Sequence, residues 1–209
     1  LSPASASDPT EVIGAEGGSV TFHGHDADGS SAFWRLGTES IVAVEFEDPP
    51  RPVFSKRKFQ TRFKVSANGR ALSISQLRLE DAGTYSVEIG EETSTFTLQV
   101  YRELAELTVT CEAQNCSGGS CRFSLRCSAP GAGLGNVSYA WSVGDRPWHE
   151  GSALLWAGEA ARDEPEPLAC RARNPVSSRN VTVSTPGALC AGEGREGRAG
   201  KGGELLLLS

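Results

Sequence analysis

Apolar residues in this chain alternate with polar ones in short runs, separated by Gly, Asp, Asn, Pro and Ser, and helical periodicity is almost absent. In the first hundred residues the alternation predicts strands over 19–22, 32–36, 41–46, 62–65, 71–77, 84–89 and 93–101. Asn68-Gly69 between two of them is a strong short hairpin signal. With an extra pair of strands after the one carrying Trp34, a nine-stranded sandwich is predicted. Leu79 to Tyr85, with Asp81 and Gly83 inside it, reads as the turn into a tyrosine corner.

The second half repeats this skeleton with sulfur added. Cys127, Trp141 and Cys170 have the Cys…Trp…Cys spacing of an immunoglobulin-like sandwich. Where the first half should carry the matching cysteines it has Gly24 and Val87. Parity places Cys121, Phe123, Leu125 and Cys127 on one face of a strand and Arg122, Ser124 and Arg126 on the other. Val137, Tyr139 and Trp141 share the inward face of the next strand, and Leu168, Cys170 and Ala172 that of a later one. Leu168 occupies the position where a tyrosine corner would place Tyr, and 159–167, with Pro165 and Pro167, makes a poor strand. The fold class expected is all-β: two tandem immunoglobulin-like β-sandwiches, variable-type without an intersheet disulfide and then constant-type with disulfides. The boundaries expected are 1–101, 102–190 and a flexible, Gly- and charge-rich stalk over 191–209. No Gly/Ser linker separates 100 from 105, which predicts a short, stiff joint.

Length agrees with this division, since 209 residues suit two domains of about 100. The formal charge is −6; residues 1–101 carry 9 basic and 14 acidic side chains, and 102–190 carry 8 and 9. With no basic region there is no electrostatic footprint for nucleic acid. All six cysteines lie between 111 and 190, beside three Asn-X-Ser/Thr sequons at Asn115, Asn136 and Asn180. The combination points to an oxidising, secretory compartment. Parity turns Asn136 and Asn180 outward, where a sugar must go. The start resembles a trimmed N-terminus, and Leu205 to Leu208 is far too short to span a bilayer. Membrane attachment is therefore expected through residues beyond this chain.

Six cysteines allow 15 connectivities. Cys127–Cys170 is favoured, because both point inward and flank Trp141. Cys121–Cys190 and Cys111–Cys116 complete the expected set, and the alternative exchanges Cys116 and Cys121. In the first domain the core rests on Phe22, Trp34, Leu77, Val87 and Phe96, with an Arg62–Asp81 ion pair expected at its base.

Parity also gives a candidate partner-binding face. Trp34 points inward, so Phe33 and Arg35 point out; Tyr85 and Val87 inward put Ser86 and Glu88 out; Phe96 and Leu98 inward put Thr95 and Thr97 out. Glu45 and Glu47 lie on the neighbouring strand. An exposed Phe among mixed charges suits a modest, charge-selected interface. Chemistry finds no such support. His23-Gly24-His25 lacks a third metal ligand, His149 stands alone, and no phosphate loop or nucleophile–base pair is visible. No enzyme, cofactor or metal is expected.

These residues resemble the signalling lymphocytic activation molecule (SLAM) family of leukocyte receptors over about residues 10–190. The runs 69–74 and 77–85 are similar to its first domain. Its second domain is matched by 120–127, 137–142 and 170–177, of which Asn174-Pro175-Val176-Ser177 is the most specific. Cys111, Cys116 and Leu168 depart from the family pattern. The resemblance implies homophilic or heterophilic adhesion between blood cells through the outward face of the first domain's GFCC′ sheet. The partner implied is another immunoglobulin-superfamily surface protein or a second copy. Members often carry a cytoplasmic Thr-X-Tyr-X-X-Val/Ile switch; Tyr85, Tyr101 and Tyr139 are not in that motif. The expected role is a cell-surface adhesion and co-receptor ectodomain on the extracellular side of the plasma membrane. The alternative is a lipid-anchored or secreted ligand without signalling of its own.

Overall fold

The alternation of the first half becomes nine strands: β1 (Thr10–Ala15), β2 (Ser19–His23), β3 (Ser31–Leu36), β4 (Glu39–Glu45), β5 (Arg51–Phe54), β6 (Phe63–Val65), β7 (Ala71–Ser75), β8 (Gly83–Ile89) and β9 (Glu92–Tyr101). The structure is a computed structural model describing residues 8–144, 146–159, 167–184 and 186–191. The chain divides into two compact units, Leu1–Arg102 and Glu103–Ser209.

In the first unit a six-stranded sheet, ordered β1-β9-β8-β3-β4-β5, faces a three-stranded sheet, β2-β7-β6. Every ladder is antiparallel except β1 on β9. Period-two burial is clearest in β9, where Ser94, Phe96, Leu98 and Val100 are buried and the residues between them are not. The inward residues meet in an aromatic core. The Phe22 ring centroid lies 4.7 Å from that of Tyr85 and 5.2 Å from that of Phe96, and Trp34 stacks 6.2 Å from Phe96. Trp34 and Phe22 are fully buried, and Leu77 and Val87 are 1% exposed. This aromatic and aliphatic packing holds a sandwich that has no sulfur.

Two devices pin the base of the unit. The Tyr85 hydroxyl donates to the Asp81 carbonyl at 2.8 Å, which is the tyrosine corner. Arg62 reaches Asp81 in a bidentate pair at 2.6 and 2.9 Å. The strand predicted over 71–77 stops at Ser75, because Gln76 sits in the left-handed region at φ 52° and turns the chain. The segment before β6 forms a short helix, α1 (Arg57–Gln60), which buries Phe59 edge-on against Phe63 at 5.1 Å.

The second unit contains β10 (Thr108–Ser117), β11 (Ser120–Ser128), β12 (Ser138–Val143), β13 (Arg146–Glu150), β14 (Ala153–Glu159), β15 (Leu168–Arg173) and β16 (Ser178–Val183). They form two antiparallel sheets, β10-β11-β14 and β13-β12-β15-β16. Trp141 and Leu125 fill the space between them, with the Cys127–Cys170 bridge linking the sheets at a Cα separation of 6.5 Å. Asn174 is buried and organises the β15–β16 turn. Its side-chain oxygen accepts from the Ser177 N–H and hydroxyl, both at 2.8 Å, and its amide donates to the Leu134 carbonyl at 3.0 Å. The Asn-Pro-Val-Ser run is thus a turn stabilised by its own buried side chain.

The other two bridges differ from expectation. Cys116 pairs with Cys121, not Cys111, and Cys190 pairs with Cys111, not Cys121. Cys111 and Cys116 lie on one extended strand, β10, where five residues span about 16 Å. A disulfide needs Cα atoms within about 7 Å. Gly118 and Gly119, with φ of 61° and 83°, instead turn β10 back onto β11 and set Cys116 opposite Cys121, 4.0 Å apart at Cα. The last strand does not run to Cys190. β16 ends at Val183, and α2 (Pro186–Ala191) packs on β10 to bring Cys190 within 5.2 Å of Cys111 at Cα. Pro186, with its fixed φ and missing N–H, suits the first turn of that helix. The alternative exchanging Cys116 and Cys121 fails for the same reasons. β14 ends at Glu159, where the poor strand expected over 159–167 begins. Residues 160–166, most of the stalk (192–209) and Leu205 to Leu208 lie outside the described residues.

Candidate partner-binding face

The outer face of the six-stranded sheet collects the side chains that point away from the aromatic core. Across it, register aligns Val53 on β5, Ala43 on β4, Phe33 on β3, Glu88 on β8 and Thr93 on β9 in one transverse row. Phe33 is 45% exposed while its neighbours in sequence, Ala32 and Trp34, are fully buried. One row along, Arg35 is opposite Ser86, and Ser86 is opposite Thr95. Arg35 reaches diagonally to Glu88 at 3.6 Å, and Glu45 pairs with Arg51 on β5 at 3.8 Å. Phe33 therefore sits between two exposed ion pairs. Thr95 and Thr97 are half-buried along β9, with Glu11 of β1 beside Thr97.

The sheet thus brings Phe33, Arg35, Glu45, Ser86, Glu88, Thr95 and Thr97 onto one surface. Glu47 lies just past the end of β4, on the rim of an open depression of about 380 Å³. Phe33, Ala43, Glu45 and Phe46 also line that depression, and Arg70 covers the Phe46 ring at 4.6 Å.

Sequence reasoning missed two apolar members of the face. Val53 is 58% exposed on β5, and Ile13 is 49% exposed on β1 beside Gln99. Ile13, Phe33 and Val53 are all of the exposed large apolar side chains among the described residues of the first unit, and all three point to this face. Arg51 was missed with Val53. Parity within 10–15 and 51–54 marks these residues as outward only once the strands are known, and both segments are short, polar edges.

The base of the unit is electrostatically set. Burial pushes the Asp81 carboxyl up. The hydrogen bonds from Arg62 and from the Arg78 N–H outweigh burial and hold it below the ordinary aspartate value. Burial raises the Tyr85 phenol far above its usual value, so it stays a donor at any physiological pH. On the exposed flank, hydrogen bonds from Lys56 and Lys58 lower the Glu39 carboxyl.

All three sequon asparagines, Asn115, Asn136 and Asn180, are exposed and belong to the second unit; the first unit has no sequon. The second unit has its own exposed apolar residues. Trp148 is 59% exposed and packs edge-on against Trp156 at 5.5 Å, and Leu155 is 76% exposed. Among the described residues no three His, Cys, Asp or Glu side chains converge as metal ligands, and His23 and His25 stand exposed at the rim of an open groove beside β9. No helix of the described residues is long and apolar enough to cross a membrane.

No protein-family model matches the chain. It is similar to the T-lymphocyte surface antigen Ly-9 of Homo sapiens, with 32% identity over 95% of the chain and 32% of that protein. SLAM family member 5 of Homo sapiens is 29% identical over 72% of the chain and 44% of its own length. The chain thus spans less than half the length of these curated relatives. In fold alone it is similar to the crystal structure of the CD2-binding domain of CD58, with TM-score 0.61, 16% identity and coverage of 85% of this chain and 97% of that one. Murine CEACAM1b gives TM-score 0.62 at 16% identity, covering 84% and 97%. Two tandem immunoglobulin-like sandwiches and these relatives together place the chain in the SLAM family of the immunoglobulin superfamily.

Proposed function

We propose that this chain is a cell-surface adhesion and co-receptor ectodomain that contacts another immunoglobulin-superfamily protein, or a second copy of itself, between leukocytes. The contact is made by the outer face of β1-β9-β8-β3-β4-β5. The observation that carries the reading is the confinement of Ile13, Phe33 and Val53 to that one face, with ion pairs around Phe33. A large apolar side chain left 45% exposed between charges is the usual anatomy of a modest interface: an anchor surrounded by groups that select the partner and steer its approach. The first unit carries no sequon, so no N-linked sugar is attached to this face. The relatives' names, a T-lymphocyte surface antigen and a SLAM family member, support a leukocyte setting.

Surface plasmon resonance of the purified chain over itself and over candidate immunoglobulin-superfamily ectodomains tests the reading. Phe33→Ala is expected to weaken binding at least tenfold, the cost of removing a central anchor. Glu88→Lys is expected to slow association and to change its salt dependence. Unchanged binding by both variants would end the proposal.

A further inference from the structure

The sequon Asn115-Cys116-Ser117 contains a cysteine that the fold consumes. Cys116 is bridged to Cys121 across a hairpin whose turn is only Gly118-Gly119. Asn115 is exposed but paired in the ladder, its Cα partner being Arg122, and Ser117 is opposite Ser120 at the last rung before the turn. Glycosyl transfer requires the acceptor tripeptide to leave any such ladder and lie in the transferring enzyme's own site. Once the Cys116–Cys121 bridge has closed, three residues of strand and their partners are tied together, and the sequon can no longer be drawn out.

The thiols become available to each other soon after the sequon is made. Cys121 follows Asn115 by six residues, about one second of synthesis or less at 5–20 residues per second. A two-residue hairpin closes in about 1–10 μs, and disulfide formation takes seconds or longer. The hairpin therefore presents the two thiols to each other well before the disulfide forms.

We propose that Asn115 is a conditional N-glycosylation site whose occupancy is set by closure of the Cys116–Cys121 hairpin. In the modifying step the Asn115 amide nitrogen bonds to the anomeric carbon of a lipid-pyrophosphate-linked oligosaccharide. The carbon–oxygen bond to pyrophosphate breaks and the amide releases one proton. In the competing step the thiols of Cys116 and Cys121 lose two protons and two electrons to the disulfide of an oxidoreductase. That disulfide becomes a dithiol as the new S–S bond forms.

The outcome changes a surface. Asn115, Arg122 and Ala157 form one transverse row on the outer face of β10-β11-β14, and the next row carries Ser124 and Leu155. A sugar at Asn115 stands over the face on which Leu155 is 76% exposed. Closure of the hairpin before transfer leaves that face bare.

The test is site-resolved glycopeptide mass spectrometry of the whole chain secreted from mammalian cells, with Asn136 as internal reference. Wild-type chain is expected to carry sugar on Asn115 in fewer than half of molecules while Asn136 is nearly full. Cys121→Ser leaves the sequon intact and is expected to raise Asn115 occupancy at least twofold. A brief dithiothreitol pulse during synthesis of the wild-type chain is expected to do the same without any substitution, so the result does not depend on the variant's folding. Equal occupancy of Asn115 and Asn136 in wild type, or no rise in either arm, overturns the proposal. Bare Asn136 and Asn180 overturn it as well, by removing the secretory premise, while leaving the binding face untouched.

Discussion

A Cβ placed on Gly24 would stand 3.2 Å from Cγ1 of Val87: the valine's branch fills the space through which sulfurs would bridge the two sheets. The Arg70 carbonyl at 3.1 Å and Cδ1 of Ile89 at 3.2 Å close the same site. The pair replaces a covalent link by close packing of backbone against a branched side chain. Gly24→Val is therefore expected to overpack the core and cost about 1–3 kcal/mol, read as a lower urea midpoint with unchanged slope.

The same proximity makes the site bridgeable. The double variant Gly24→Cys/Val87→Cys is expected to form a disulfide, detected as loss of two thiols on mass spectrometry. It closes a long loop, which restrains the unfolded chain by up to about 4 kcal/mol, offset in part by the crowding of the new Cβ against the Arg70 carbonyl and Ile89. Two free thiols in the folded double variant would show that the two backbones lie too far apart.

Asp81 links stability to pH. Its folded-state carboxyl lies below the unfolded value because the Arg62 and Arg78 hydrogen bonds outweigh burial. A depressed carboxylate contributes stability that is fully present above the unfolded value of about 4 and is lost as pH falls through the folded one. Asp81→Asn leaves the Arg62 guanidinium, 13% exposed, without its counter-ion. It is expected to cost about 3 kcal/mol at pH 7 and to flatten the acid limb of a stability–pH profile. An unchanged acid limb would assign the acid sensitivity to other carboxylates.

Tyr85→Phe removes one hydrogen bond and keeps the ring against Phe22. The Asp81 carbonyl loses its buried donor, and a loss of about 1–2 kcal/mol is expected in thermal or urea unfolding.

Strand alternation carried most of the fold into view, because inward and outward residues differ in chemistry wherever one face of a sheet is buried. Trp34 against Arg35 and Val87 against Glu88 are such contrasts, and they orient the central strands of the sheet. The edges were harder. Val53 and Ile13 sit on short outer strands paired on one side only, Val53 to the adjacent β4 and Ile13 to β9, far away in sequence. The cysteines were hardest. Pairing follows strand register and the path of the chain end, so the continuous strand through Cys111 and Cys116 and the helical turn at Cys190 decided two bridges that spacing left open.

Arg35–Glu88 separates binding from stability. Both side chains are about half-exposed, and such a pair contributes little to folding. Arg35→Glu combined with Glu88→Arg is expected to shift unfolding by less than about 0.5 kcal/mol while weakening binding, since the partner meets reversed charges. Equal binding by wild type and the swapped pair would exclude these charges from the contact.

The most direct measurement places a sugar on the proposed face. Ala43→Asn/Glu45→Thr creates a sequon between Phe33 and Val53, and Thr21→Asn/His23→Thr creates one on the exposed side of β2 in the opposite sheet. With glycan occupancy and folding verified, both proteins are assayed for binding to leukocytes. Loss of binding with the sugar at 43 and retention with the sugar at 21 is the expected result. Retention with the sugar at 43, or loss only with the sugar at 21, would contradict the assignment of this face as the site of contact.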